Sequence, residues 1–88
     1  MANMRAKFQV SYVQQHFDYH DKTKKTGETL SMHAVAASQY PDDGHDDDNT
    51  YAKWSPSARL EINIANPALW DTFTVGEKYY VDFSKAGE

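Results

Sequence analysis

Ala58-Arg59-Leu60-Glu61-Ile62-Asn63-Ile64 is the most regular stretch of the chain, and it decides the fold class. Ala58, Leu60, Ile62 and Ile64 fall on one side of an extended backbone, and Arg59, Glu61 and Asn63 fall on the other. That period of two is the signature of a strand with one wet face. The pattern recurs on both sides. Residues 29–37 place Leu30, Met32, Ala34 and Ala36 on one face and Ser31, His33 and Val35 on the other, and the small alanines predict a close neighbour. Residues 7–19 alternate through Phe8, Val10 and Tyr12, weaken after Val13 and resume at Phe17 and Tyr19. That lapse predicts one long bulged strand or two short ones. Residues 78–83 put Tyr79, Val81 and Phe83 on one face as the last strand. A short strand is also expected over 50–54, stopped by Ser55-Pro56-Ser57 because proline cannot donate to a ladder.

Punctuation between these runs sets the connections. Asp21-Lys22-Thr23-Lys24-Lys25-Thr26-Gly27-Glu28 reads as a charged hairpin loop over 21–28. Pro41-Asp42-Asp43-Gly44-His45-Asp46-Asp47-Asp48-Asn49 reads as a polar surface loop over 41–49, preceded by Tyr40. Asn66-Pro67 opens one short helical turn before the last strand, with Asn66 as N-cap and Pro67 at the first helical position. The tail 84–88 is expected to fray. The whole is an all-β domain with minor helix, a single unit over 1–88. One small sheet cannot cover its own apolar face, so four or five antiparallel strands predict a small barrel or sandwich of OB-like or SH3-like type.

Composition removes several functions. A chain of 88 residues holds one domain, and at this size only roughly 60% of the unfolded surface is buried, so pairing into a homo-oligomer is a common source of added stability. There is no cysteine, which excludes disulfides, zinc knuckles and thiol nucleophiles. Met1-Ala2-Asn3-Met4-Arg5-Ala6-Lys7 leads into alternation rather than an apolar run, so neither a signal peptide nor a membrane span is expected there. A formal charge of −4 disfavours unaided binding to a phosphate backbone.

Each constellation that could carry chemistry has a plainer reading. His16-x-Asp18-x-His20 sets two imidazoles and a carboxylate on one face of a strand, as a metal site needs, but spacing alone also describes a solvated strand end. The aspartates of the 41–49 loop are hard oxygen ligands suited to calcium, yet the glycine is misplaced for an EF-hand and no glutamate closes the loop. Ser31 and His33 share a face without a glycine elbow or a third partner, and no phosphate-cradling glycine loop occurs. No cofactor, no metal and no catalytic residue is therefore expected, and the protein reads as a non-enzyme. Two binding readings remain. Asp43, Asp46, Asp47 and Asp48 could frame an interface with an aromatic patch of Trp54 and Tyr80, meeting a basic protein partner. Lys22, Lys24 and Lys25 could instead contact single-stranded nucleic acid, with Phe17 and Tyr19 as stacking platforms beside Tyr40.

The run Trp54-Ser55-Pro56-Ser57 to Asn66-Pro67 and the ending Gly76-Glu77-Lys78-Tyr79-Tyr80-Val81-Asp82-Phe83, with Lys7-Phe8-x-Val10 near the start, resemble a group of small proteins of uncharacterised function encoded by tailed bacteriophages. The resemblance implies a viral protein located in the virion or the host cytoplasm. It also implies one of two roles: an accessory virion component, or an inhibitor that binds a host factor. It brings no catalytic or binding residues with it. The reading it leaves is a phage-encoded β protein that acts by protein–protein binding, with an OB-like single-strand binder as the rival.

Overall fold

The computed structural model describes residues 4–39 and 43–87. Tyr40, Pro41 and Asp42 of the expected acidic loop, and Glu88 of the tail, lie outside the described residues. Four strands form: β1 Arg5–Phe17, β2 Lys25–Ala34, β3 Arg59–Ile64 and β4 Lys78–Asp82, with a 3-10 turn at Pro67–Leu69. They make one sheet in the order β3-β2-β1-β4, and every neighbouring pair is antiparallel. The all-β expectation holds in this form. Closure does not occur: β3 and β4 are opposite edges, so the sheet is open rather than a barrel, and no second sheet packs on it among the described residues.

Register explains which residues are inside. Phe8 lies opposite Ala34 and Tyr79, Val10 opposite Met32, and Leu30 opposite both Val13 and Ile62, so one face is apolar over these residues. Its buried centre is Ala6, Phe8, Val10, Leu30, Met32 and Ile64. A bulge at Ser11 makes this face continuous. It moves Tyr12 onto the polar face opposite Ser31, leaving Tyr12 exposed, and returns Val13 to the apolar side. Tyr12 is thus on the opposite face from the one that alternation with Phe8 and Val10 predicts.

A second register shift at Thr26 corrects the expected 21–28 loop. Residues 25–28 are strand, and the connecting loop is 18–24. Glu28 is on the apolar face by regular alternation with Leu30 and Met32, and the extra residue turns Lys25 to that same face, although residues three apart in a regular strand point to opposite faces. Glu28 is buried, at 2% exposure, and the bulge brings Lys25 to it, so that its Oε2 accepts from Lys25 Nζ at 2.5 Å.

Residues 65–77 cover part of the apolar face in place of a second sheet. This segment crosses from the end of β3 to the start of β4. Asn66 caps the turn as expected, its side chain accepting from the Ala68 N–H at 3.0 Å. Trp70 Nε1 donates to the Ile64 carbonyl at 2.9 Å, Lys25 Nζ sits 5.0 Å from the centre of a Trp70 ring, and the Asp71 N–H donates to Glu28 Oε2 at 3.3 Å. Phe73 meets Tyr79 edge-on at 5.2 Å between ring centres. Coverage is partial. The described residues extend 56 × 33 × 16 Å with a radius of gyration of 16.3 Å, where a compact chain of this length would reach about 12 Å.

The expected strand over 50–54 is replaced by turns and a single bridge between His45 and Lys53. The long connection instead folds back on β1. Thr50 N–H donates to the Arg5 carbonyl and Lys7 N–H donates to Asn49 Oδ1, so residues 49–50 occupy the place that β2 vacates after Ala34.

Candidate functional site

The alternation that builds the apolar face also leaves part of it open. Beyond the reach of the 65–77 segment, Ala6 and Phe8 of β1, Ala58 just before β3 and Leu60 within it floor a hollow of about 280 Å³. Met4, Tyr51 and Phe83 stand around it. The hollow exists because the two alanines present only a methyl group where the surrounding side chains are large. Phe83 is held at the rim by its N–H, which donates to the Met4 carbonyl at 2.9 Å. Met4, Phe83 and Ile62 remain 43%, 48% and 44% exposed, so the open apolar surface extends past the hollow itself.

On the polar face, Tyr80 OH donates to Asp48 Oδ1 at 2.9 Å, and Arg5 lies 4.5 Å from the Tyr80 ring centre. Arg5 also grips Asp82, with Nε to Oδ1 at 2.7 Å and Nη2 to Oδ2 at 3.2 Å. Lys7 Nζ reaches Asp48 Oδ2 at 3.2 Å. Hydrogen bonding to Asp48 is the first of the influences that raise the Tyr80 phenol above its ordinary range. The cluster therefore joins two residues singled out by sequence, Asp48 and Tyr80, with three that were not: Arg5, Lys7 and Asp82. Cross-strand register sets Arg5 against Asp82 and Lys7 against Tyr80, and the loop docked on β1 through Asn49 and Thr50 brings Asp48 to them.

The other acidic residues divide. Asp46 is 1% exposed and holds the loop from inside, Oδ1 accepting from the N–H groups of Asp48 and Asn49 and Oδ2 from Ala37 N–H and Asn49 Nδ2. Its carboxylate is closed to any partner. Asp43 and Asp47 stay outside, Asp43 accepting from the His45 N–H and Asp47 bonded to His45 Nε2. Trp54 is 53% exposed with its indole over Gly44, whose φ of +79° and lack of a side chain leave room for the ring: a Cβ there would stand 2.5 Å from it.

At the other end of the sheet the lysine loop is partly committed. Lys25 belongs to the Glu28–Trp70 contact, and Lys22 Nζ lies 5.4 Å from the Tyr19 ring centre. Phe17 and Tyr19 are exposed and Lys24 points to solvent. Asp18 caps the turn, its Oδ1 accepting from the N–H groups of His20 and Asp21, while His16 Nε2 bonds Thr29 Oγ1 at 2.7 Å. The described residues contain no group of three or more metal-ligating side chains. His33 pairs through Nδ1 with Ser11 rather than with Ser31.

Asp21, Glu28, Asp46 and Asp82 all titrate below the ordinary carboxylate range, and of the four only Glu28 and Asp46 are buried. Glu28 is lowered first by the hydrogen bond from Lys25, against the opposing effect of burial. For Asp46 burial is the largest influence and acts to raise it, but the hydrogen bonds from Ala37, Asn49 and Asp48 together outweigh it. A carboxylate lowered on folding adds stability that is complete above its unfolded pKa and disappears as pH falls through its folded one. The melting temperature is expected to be flat from neutral pH to about 5 and to fall below about 4. Glu28→Gln should shrink that acid-limb slope in a calorimetric pH series, and an unchanged slope would exclude Glu28 from it.

Comparison with family models, curated proteins and solved structures finds no match to this chain. The site is therefore read from its own geometry.

Proposed function

We propose that this protein is a small non-enzymatic binding protein whose open apolar face docks a protein partner. The observation that carries the reading is the hollow over Ala6 and Ala58, a concave carbon-lined surface in a chain too short to leave apolar area exposed without cost. The partner presents an aliphatic or aromatic side chain to the hollow. A neighbouring cationic group meets Asp47, whose side chain is 87% exposed at the same end of the sheet as Arg5, Thr50 and Asp82, in keeping with the net charge of −4. The resemblance of residues 76–83 to proteins of tailed bacteriophages supports a place in the virion or on a host factor. Single-stranded nucleic acid is the weaker reading, because Lys25 is tied to Glu28 and Lys22 to Tyr19.

Ala58→Phe tests the reading by filling the hollow from within. The wild type is expected to bind the dye ANS and to retain one stoichiometric protein from virions or infected host lysate. The variant should lose both by about tenfold or more, as for occlusion of an anchor pocket. Equal retention by a folded variant would exclude the hollow. Saturable binding of single-stranded DNA at low salt would favour the nucleic-acid reading.

A further inference from the structure

The outer edge of β3 is built to pair with itself. The Ala34 N–H donates to the Ala58 carbonyl at 3.0 Å, which fixes the hydrogen-bonding phase of the β2–β3 ladder. Leu60, Ile62 and Ile64 direct their backbone groups toward β2, so the N–H and C=O groups of Arg59, Glu61 and Asn63 point outward. No strand among the described residues pairs with them. Edges of this kind are normally blunted by proline, lysine, a bulge or an inward charge. Residues 59–64 contain none of these, and Arg59 and Glu61 form no ion pair among the described residues. The opposite edge differs: β4 has five residues, opens on Lys78 and has Asp82 held by Arg5.

We propose that two copies of this chain join β3 to β3 antiparallel about a twofold axis at Leu60, making one continuous eight-stranded sheet. Charge selects the register. Outward backbone groups must face outward ones, which leaves a choice of axis at Leu60, Glu61 or Ile62. An axis at Glu61 sets that carboxylate against its own copy, and an axis at Ile62 pairs Glu61 with Asn63 and Arg59 with Ala65. The axis at Leu60 alone places Arg59 opposite Glu61 of the second copy, twice by symmetry, on the polar face. On the apolar face it puts Leu60 against Leu60 and Ala58 against the half-exposed Ile62. Pro56 would fall at a position whose missing N–H faces away from the partner strand, so the pairing continues beyond β3 without an interruption.

The pairing shares Ala58 and Leu60 with the floor of the hollow, but its test reads mass rather than capture, so the failure of either reading is distinguishable from that of the other. The wild type is expected to be a dimer by light scattering coupled to size-exclusion chromatography. Arg59→Glu places two acids opposite each other at each pair, and Glu61→Arg places two bases. Each variant alone should lose about tenfold or more in dimer affinity, from two cross-strand attractions turned into repulsions. An equimolar mixture of the two variants, and the double variant R59E/E61R, should regain the dimer. Both positions are exposed, and matching circular dichroism spectra confirm that each variant is folded. A monomeric wild type, single variants that dimerise like the wild type, or a mixture that does not recover would each overturn the proposal.

Discussion

Lys25→Ala is expected to lower the unfolding free energy by about 3–5 kcal/mol, the range for removing one partner of a buried ion pair. Glu28 is 2% exposed, and its Oε1 has no hydrogen-bond partner among the described residues. Oε2 carries both of its contacts, from Lys25 Nζ at 2.5 Å and the Asp71 N–H at 3.3 Å. Without the ammonium the carboxylate keeps its desolvation cost and loses the group that offsets it. The same ammonium lies over Trp70, so the change also loosens the 65–77 segment, whose Trp70 and Phe73 pack against the core. Urea unfolding measures the loss, with Trp70 fluorescence reporting the segment. Lys25→Met combined with Glu28→Leu removes both charges and should recover most of the stability, since an apolar pair avoids the unpaired buried charge. A single variant within about 1 kcal/mol of wild type would show that the pair is hydrated and weak.

Asn49→Ala is expected to cost about 2–4 kcal/mol, from two or three buried polar groups left without partners. Asn49 is 0% exposed. Its Oδ1 accepts from Lys7 N–H at 2.8 Å, and Nδ2 donates to the Val35 carbonyl at 2.8 Å and to Asp46 Oδ2 at 3.2 Å. The side chain therefore stands in for a strand beside the start of β1, where β2 has turned away. Amide hydrogen exchange at Lys7 and Arg5 should accelerate together with the fall in stability. Protection that persists at both would show that other contacts hold the loop to β1.

The different fates of neighbouring residues show how far the sequence could be read. The strands were legible because period-two alternation is local: Leu60, Ile62 and Ile64, or Phe8 and Val10, announce a face without reference to the rest of the chain. The Asn66-Pro67 turn was legible for the same reason, since its cap bond spans only two residues. Residues 25–28 were misread because charge and glycine describe a loop equally well, and only the ladder shows that Glu28 continues the inward row of Leu30 and Met32 and that the bulge at Thr26 turns Lys25 toward it. Asp46 and Asn49 were misread as solvated because their composition matches that of Asp43 and Asp47. Burial separates the two pairs, and it depends on where β1 passes. Tyr12 followed the alternation in sequence and left it in space through one inserted residue.

By itself, then, the sequence determined the four strands of the sheet in their central residues, the Asn66-Pro67 turn, the apolar face and the need to cover that face, all of which follow from hydrophobic periodicity and turn chemistry acting over a few residues. The tertiary structure alone decided that the strands spread as β3-β2-β1-β4 rather than closing. With β3 and β4 on opposite edges, the crossing segment 65–77 became the cover. It is too short to reach the whole face, so the hollow over Ala6 and Ala58 and the free edge of β3 were left open. Which edge meets which neighbour is set by long-range register, and no window of residues encodes that locally.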